Sequence, residues 1–295
     1  MPELPEAETI VRGIRAAVSG RRIEGVEVLH RDVLAVTPAR LRKGLAGQRI
    51  EGAGRRAKNV LLDMDDGSVV WINLGMTGGV MSLPRPPHTS AARVRYGPIA
   101  THPTVVFLLG GGTDLVFNDS RRFGTIEHLD ASASRARSRT FGPEPLTDEF
   151  TPAGLWRGLR ASRAPVRSWL LDQRKLAGVG NIYANEALFL AGIHPARRAR
   201  TVRRHEAEAL HSSLRSVLTA AVQAGGTTIR DYRNAQGGEG AYVRELRVYG
   251  QEGSHCIKCS SIVQRLVFGN RSAFLCPTCQ PRRAVARRTR RPGLT

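Results

Sequence analysis

The sequence predicts an α+β chain in three parts: a strand-rich N-terminal region, a helical second region and a short cysteine-bearing module. Three observations carry this. Apolar runs flank Asp66-Gly67 and Gly110-Gly111-Gly112, both strong turn signals between strands. Helical periodicity takes over beyond residue 140. All four cysteines fall within residues 250–280, in two close pairs.

The elements follow in order. Residues 1–20 read as a short arm and a helix, with Ile10, Ile14, Ala17 and Val18 on one face and Gly20 as its stop. Residues 21–130 read as strands. Residues 60–64 and 69–73 make one hairpin, 104–109 and 113–117 another, and such hairpins predict a β-sandwich or barrel. The Pro-rich stretch 84–103 reads as a loop. The polar, Arg/Ser-rich residues 131–140 read as an interdomain linker. Helices are expected over 155–159, 166–171, 182–190 and 205–224, the last amphipathic through Ala209, Leu210, Leu214, Val217, Leu218 and Val222. Residues 225–248, rich in Gly and polar side chains, read as a mobile loop. The end of the chain holds six Arg and no acid, and reads as a disordered basic tail.

Forty-five Lys and Arg against 25 Asp and Glu leave a formal charge of +20. The excess is Arg, since Lys occurs only at Lys43, Lys58, Lys175 and Lys258. Arg suits bidentate phosphate contacts, and the balance predicts a polyanionic partner, nucleic acid. GC-rich coding would explain Arg over Lys but not the net charge. An apolar fraction of 41% excludes wholesale disorder. No run approaches the roughly 20 apolar residues of a membrane helix, so no membrane role is expected. The acid-bearing start Met1-Pro2-Glu3-Leu4-Pro5-Glu6 is unlike a secretory signal, and a cytoplasmic chain with reduced thiols is expected.

Cys256-x2-Cys259 and Cys276-x2-Cys279, sixteen residues apart, supply four thiolates for one tetrahedral zinc ion. Four ligands close the coordination sphere, so the zinc is expected to be structural. The residues between the pairs read as two strands around a Gly269-Asn270 turn, with Arg271 beside its tip. Two unrelated redox pairs would each need their own fold context.

Pro2 is the second residue, and loss of Met1 would expose a secondary amine. An α-amino group ordinarily titrates near 8, far below a lysine, so a useful fraction is a neutral nucleophile able to form a Schiff base with a sugar. Glu3 and Glu6 lie close behind, where carboxylates can move protons and stabilise a sugar cation. Pro and Glu are also ordinary residues of a first helical turn.

These residues resemble the start of the formamidopyrimidine-DNA glycosylases. Arg55-Arg56-Ala57-Lys58, residues 74–78 (Leu-Gly-Met-Thr-Gly), 118–124 (Asn-Asp-Ser-Arg-Arg-Phe-Gly), 178–184 (Gly-Val-Gly-Asn-Ile-Tyr-Ala), 225–232 and Val248-Tyr249-Gly250 match further family motifs in order. The resemblance implies an N-terminal catalytic β-sandwich domain with its leading helix over 1–130 and a linker over 131–146. A helix–two-turn–helix domain with a lesion-recognition loop would follow over 147–248, then a zinc-ribbon finger over 249–281 and a basic tail over 282–295. It implies a monomer that takes double-stranded DNA containing oxidised bases or abasic sites into a cleft between domains. Oxidised purines would be excised and the strand cut by β- and δ-elimination. Pro2 resembles the nucleophile, Glu3 the proton-transfer residue, Glu6 a supporting carboxylate and Lys58 a catalytic lysine that touches phosphate. Asn181, Tyr249 and Arg271 match phosphate contacts, Arg271 counting with the catalytic set as well, and Met76, Arg121 and Phe123 match the side chains that fill the gap left by an everted base. Ile229, Arg230, Asp231 and Tyr232 match the loop whose amides read the lesion. Asn73 stands where the family often has a phosphate-binding His, so weaker affinity is expected there. The rivals are an endonuclease VIII-like glycosylase for oxidised pyrimidines, a non-catalytic damaged-DNA-binding protein, and a ribosome-associated zinc ribbon. The last would leave Pro2, Lys58 and Asn181 without purpose.

Overall fold

The computed structural model describes residues 2–86, 96–97, 99–227, 240–268 and 271–282. Helix α1 (Leu4–Val18) opens the chain on a Glu3–Glu6 capping box, with Pro5 in its first turn. Its apolar stripe, Ala7, Ile10, Val11, Ile14 and Val18, is fully buried.

Eight strands follow: β1 (Ile23–Val28), β2 (Ile50–Arg56), β3 (Asn59–Met64), β4 (Val69–Asn73), β5 (Gly79–Pro84), β6 (Pro103–Leu109), β7 (Thr113–Asn118) and β8 (Thr125–Leu129). A short helix, α2 (Pro38–Leu45), lies between β1 and β2 under a Thr37 cap. The strands form two antiparallel four-stranded sheets, ordered β1-β6-β7-β5 and β2-β3-β4-β8. Both hairpins read from the sequence are present, joining β3 to β4 and β6 to β7. The two sheets, α1 and α2 share one core that includes Ile23, Leu41, Leu62, Ile72, Phe107, Phe117 and Ile126. This is a β-sandwich with its leading helix packed into it.

The stretch read as an interdomain linker is helical: residues 131–139 form α3 (Ala131–Arg139), which the sequence reading did not expect. The Asp130 carboxylate accepts the N–H groups of Ser132 and Ala133, both at 2.8 Å. Trp71 Nε1 donates to Ser134 Oγ at 2.9 Å, and Arg137 stacks over the Trp71 ring. The helix docks through a hydroxyl and a guanidinium, so it carries no apolar period to read.

The second core gathers α4 (Pro152–Arg160), α5 (Val166–Leu171), α6 (Asn181–Leu190) and α7 (Arg204–Gln223), at the places the periodicity predicts. Strands β9 (Gln264–Phe268) and β10 (Arg271–Leu275) pair antiparallel between the cysteine knuckles. Cys256, Cys276, Val263 and Val248 pack on Phe189 of α6, so the finger rests on the helical domain. No helix among the described residues is long and apolar enough to cross a membrane.

Candidate active site and nucleic-acid interface

Pro2 immediately precedes Glu3, the N-cap of α1, and the chain end is seated against the start of α6. Leu4 N–H donates to Gly178 O at 3.0 Å. Gly178 has φ of +77°, and a Cβ there would meet Leu4 Cβ at 2.7 Å, so both the turn and the close approach require glycine. One turn on, Ile182 N–H donates to Glu3 Oε1 at 3.0 Å. Glu3 is 2% exposed, and its Oε2 has no hydrogen-bond partner among the described residues. An unsatisfied buried oxygen at this point is available to a reacting group.

Glu6 lies beneath. Its Oε2 accepts Glu3 N–H at 2.8 Å, while its Oε1 accepts Thr227 N–H at 2.7 Å and the Tyr183 hydroxyl. Burial raises the Glu6 pKa and Glu3 adds to it, while the donors from Tyr183, Thr227 and Glu3 pull it back.

Lys58 follows Ala57, whose φ of +54° turns the β2–β3 connection. Glu144, from the segment after α3, pins that turn: it accepts Ala57 N–H at 2.7 Å and pairs with Arg55 at 2.6 Å and Arg56 at 2.8 Å. Lys58 sits within electrostatic reach of Glu3, Glu6 and Arg271. Burial pushes its ammonium below the ordinary lysine range and Arg271 adds to this, against the opposing pull of Glu3 and Glu6.

Three side chains project from two back-to-back turns. Met76 is 41% and Phe123 56% exposed, and the Arg121 guanidinium lies 4.7 Å from the Phe123 ring centroid. Buried Asp119 locks the turns together. Its Oδ1 accepts the Thr77 hydroxyl at 2.5 Å and its Oδ2 accepts Gly124 N–H at 2.8 Å. The exposed apolar tips therefore stand on a rigid base.

Asn181, Tyr249 and the strand bearing Arg271 converge at the α6 N-terminus, where backbone amides favour an anion. Asn181 Nδ2 donates to Ser272 O at 3.1 Å, and its side chain lies within electrostatic reach of the Tyr249 hydroxyl. Asn73, in contrast, is engaged within the fold: its Nδ2 donates to Asn59 Oδ1 at 2.9 Å and its Oδ1 accepts Gly75 N–H at 3.0 Å. Residues 229–232 lie outside the described residues.

The four Sγ atoms of Cys256, Cys259, Cys276 and Cys279 lie within 4.8 Å of one another. Separations of 3.4 Å for Cys259–Cys276 and 3.8 Å for Cys256–Cys279 match the roughly 3.8 Å edge of a tetrahedron with Zn–S near 2.3 Å. Lys258 N–H faces Cys256 Sγ and Cys279 N–H faces Cys276 Sγ, both at 3.4 Å, as in paired zinc knuckles. The donor set fits one structural zinc ion.

Family models match this chain in three blocks. They are the formamidopyrimidine-DNA glycosylase N-terminal domain over residues 1–126, its H2TH domain over 141–233, and a zinc finger found in FPG and IleRS over 253–282. A formamidopyrimidine-DNA glycosylase of Chloroflexus aggregans is 41% identical over 95% of this chain and 98% of its own. This chain belongs to the formamidopyrimidine-DNA glycosylase family. Among solved structures, a Lactococcus lactis FPG mutant in complex with a Fapy-dG-containing DNA superposes with a TM-score of 0.85 at 29% identity, covering 95% of this chain and all of that one. The wild-type Lactococcus lactis FPG in complex with an oxidised-pyrimidine-containing DNA gives 0.84 at 28%, covering 95% and 100%.

Within this family site, several residues escaped sequence reasoning. Tyr183 and Thr227 hold Glu6, Glu144 holds the Lys58 turn, and Asp119 holds the exposed tips. Arg167 is 2% exposed on α5, and its Nη2 donates to Asn181 Oδ1 at 2.6 Å and Ser272 O at 2.9 Å. It reads as an ordinary surface Arg in sequence, because its burial comes from the finger closing over it.

Proposed function

We propose that the protein is a bifunctional DNA glycosylase and abasic-site lyase of base-excision repair, acting in the cytoplasm on oxidised purines in duplex DNA. The observation that carries the reading is the seating of the chain start: Glu3, next to the buried Pro2, accepts the Ile182 N–H at the α6 N-terminus, within a cluster shared by Glu6, Lys58 and Arg271.

Removal of Met1 turns the Pro2 nitrogen from an amide into a secondary amine. That nitrogen attacks C1′ of the damaged nucleotide. Glu3 passes a proton to the ring oxygen as the sugar opens, the base departs, and an iminium links Pro2 to C1′. Loss of a C2′ proton expels the 3′ phosphate and a second elimination expels the 5′ phosphate. Water then frees the amine. Lys58, Asn181, Tyr249 and Arg271 hold the phosphates, Arg271 on a hairpin that the zinc keeps folded. Met76, Arg121 and Phe123 fill the vacated stack, and the amides of residues 229–232 read the base.

Borohydride trapping on an abasic duplex tests this: a covalent product mapping to Pro2, abolished by acylating the processed terminus, is expected. No product from protein beginning at Pro2 leaves the non-catalytic alternative. The Lactococcus lactis complex with an oxidised pyrimidine gives a second reading weight. Faster excision of thymine glycol than of 8-oxoguanine would move the preference to pyrimidines.

A further inference from the structure

We propose that Tyr183 is a positioning residue for this reaction: with Thr227 it clamps the Glu6 carboxylate, so that the chain at Thr227 and the Glu3–Glu6 pair are set in place together. The inference rests on the proposed lyase chemistry and adds to it a residue that does not touch the sugar.

Tyr183 lies two residues into α6 and is fully buried. Its ring belongs to the second core and packs against Tyr242 with centroids 5.9 Å apart, a role a phenylalanine would fill equally well. The hydroxyl makes the difference. It donates to Glu6 Oε1 and lies 3.0 Å from Thr227 Oγ1. Thr227, 3% exposed, sends its own N–H to the same carboxylate oxygen at 2.7 Å. The other oxygen of Glu6 accepts Glu3 N–H, and Glu3 in turn accepts Ile182 N–H, one residue before Tyr183. The chain of bonds thus closes on itself through α1, α6 and the segment after α7. Rotation of the Glu6 side chain would break bonds to all three.

Among the described residues, the groups facing Glu6 include Glu3 at the start of its own helix, Lys58 from the β2–β3 turn, and Tyr183 from α6, with Arg271 of β10 acting on Lys58. Burial and Glu6 hold the Tyr183 hydroxyl well above the ordinary tyrosine range, so it remains a donor at any working pH. A donor of this kind favours the carboxylate of Glu6 over its acid. Removing it raises the pKa of Glu6, and an acid limb governed by Glu6 moves upward.

The test uses protein with Met1 removed and single-turnover excision of 8-oxoguanine from a duplex, between about pH 5 and pH 9. Tyr183→Phe is expected to slow excision about tenfold at neutral pH and to move the acid limb upward, with affinity for an uncleavable abasic-analogue duplex within about twofold of wild type. Thr227→Val keeps the N–H donor and loses only the hydroxyl, so a smaller shift in the same direction is expected. A Tyr183→Phe rate and pH profile like wild type overturn the proposal. So does a loss equal at every pH and accompanied by weaker duplex binding, which marks a purely structural role. Should Tyr183→Phe fail to fold, Thr227→Val decides: an upward shift upholds the clamp and an unmoved limb overturns it. Borohydride trapping of wild type separates the two levels. Without a trapped product the lyase reading and the clamp fall together; with one, an unaltered Tyr183→Phe profile removes the clamp alone.

Discussion

Gly180→Ala is a one-methyl perturbation aimed at the Glu3 carboxylate, the proposed proton-transfer group. Gly180 caps α6 with φ of −131°, a conformation any residue adopts, so the substitution tests space and not backbone strain. The new Cβ would stand 2.2 Å from Glu3 Cδ and 2.4 and 2.6 Å from its oxygens, where ordinary contact begins at 3.4 Å. The carboxylate must retreat by roughly 1 Å. That retreat breaks the 3.0 Å bond from Ile182 N–H. Because the end of a side chain yields and no backbone moves, the stability cost is one charge-assisted hydrogen bond, about 1.5–3 kcal/mol, or about 5 °C in Tm. The catalytic cost is larger in proportion. A misplacement of about 1 Å in a proton-transfer group slows the reaction about 100-fold, about 2.7 kcal/mol of barrier. Single-turnover excision, thermal melting and affinity for an uncleavable abasic duplex separate the three effects. A mutant that melts lower but excises within about threefold of wild type would refute the role given to Glu3.

Four further outcomes follow from the same geometry. Lys58 has a depressed pKa when folded, so it opposes folding in full below that value, and the cost fades as pH climbs from there toward the ordinary 10.5. Lys58→Met should therefore melt no lower than wild type at neutral pH, with any gain shrinking at higher pH, while trapping falls about 100-fold; a lower Tm at neutral pH contradicts this. Cys256→Ser, or chelation, should abolish zinc retention and weaken duplex binding at least about tenfold through Arg271, leaving the N-terminal core's melting intact; metal analysis and titration check both. Phe123→Ala removes a 56%-exposed ring, so Tm should stay within about 1 °C while excision from a fully paired duplex drops about tenfold, and a matching drop on single-stranded abasic DNA would sink the wedge role. Duplex affinity should fall steeply, about 10-fold or more, from low to moderate salt, and a flat titration would refute a phosphate-dominated cleft.

Much of the fold was legible because its signals are local. Asp66-Gly67 lies between two apolar runs, the α7 stripe repeats at helical spacing, and paired cysteines at fixed spacing define the finger. α2 and α3 escaped for a physical reason. α2 buries only Leu41 and Leu45, and α3 docks through Ser134 and Arg137, so neither has an apolar stripe to detect; their Thr37 and Asp130 caps were the readable signals. At the site, exposed or chain-terminal groups could be matched to motifs. Tyr183, though inside the matched stretch 178–184, Glu144 and Arg167 could be given no role, because their partners lie 177, 88 and 105 residues away and only the folded chain brings them together.

Those remote partners share a logic that the net charge conceals. The chain carries +20, yet the site is assembled by four carboxylates that are buried or nearly so. Glu3 accepts the Ile182 amide, Glu6 the Thr227 amide, Glu144 the Ala57 amide, and Glu186 the amides of Arg247, Val248 and Tyr249. Each ties a different segment to the site, and a carboxylate does this better than a neutral acceptor because a charged hydrogen bond in a dry interior is stronger and more directional. The cost is visible at Glu6 and Glu186, whose pKa values burial drives upward against those same donors. The positive charge has the opposite task. Arg121 and Arg271 are exposed where a polyanion would approach, and such charges give salt-sensitive attraction without fixing geometry. Buried acids set positions, as buried Arg167 also does, and the exposed bases are placed to attract a polyanion. Replacing a buried acid should therefore alter the rate at saturation, whereas replacing a surface Arg should alter binding.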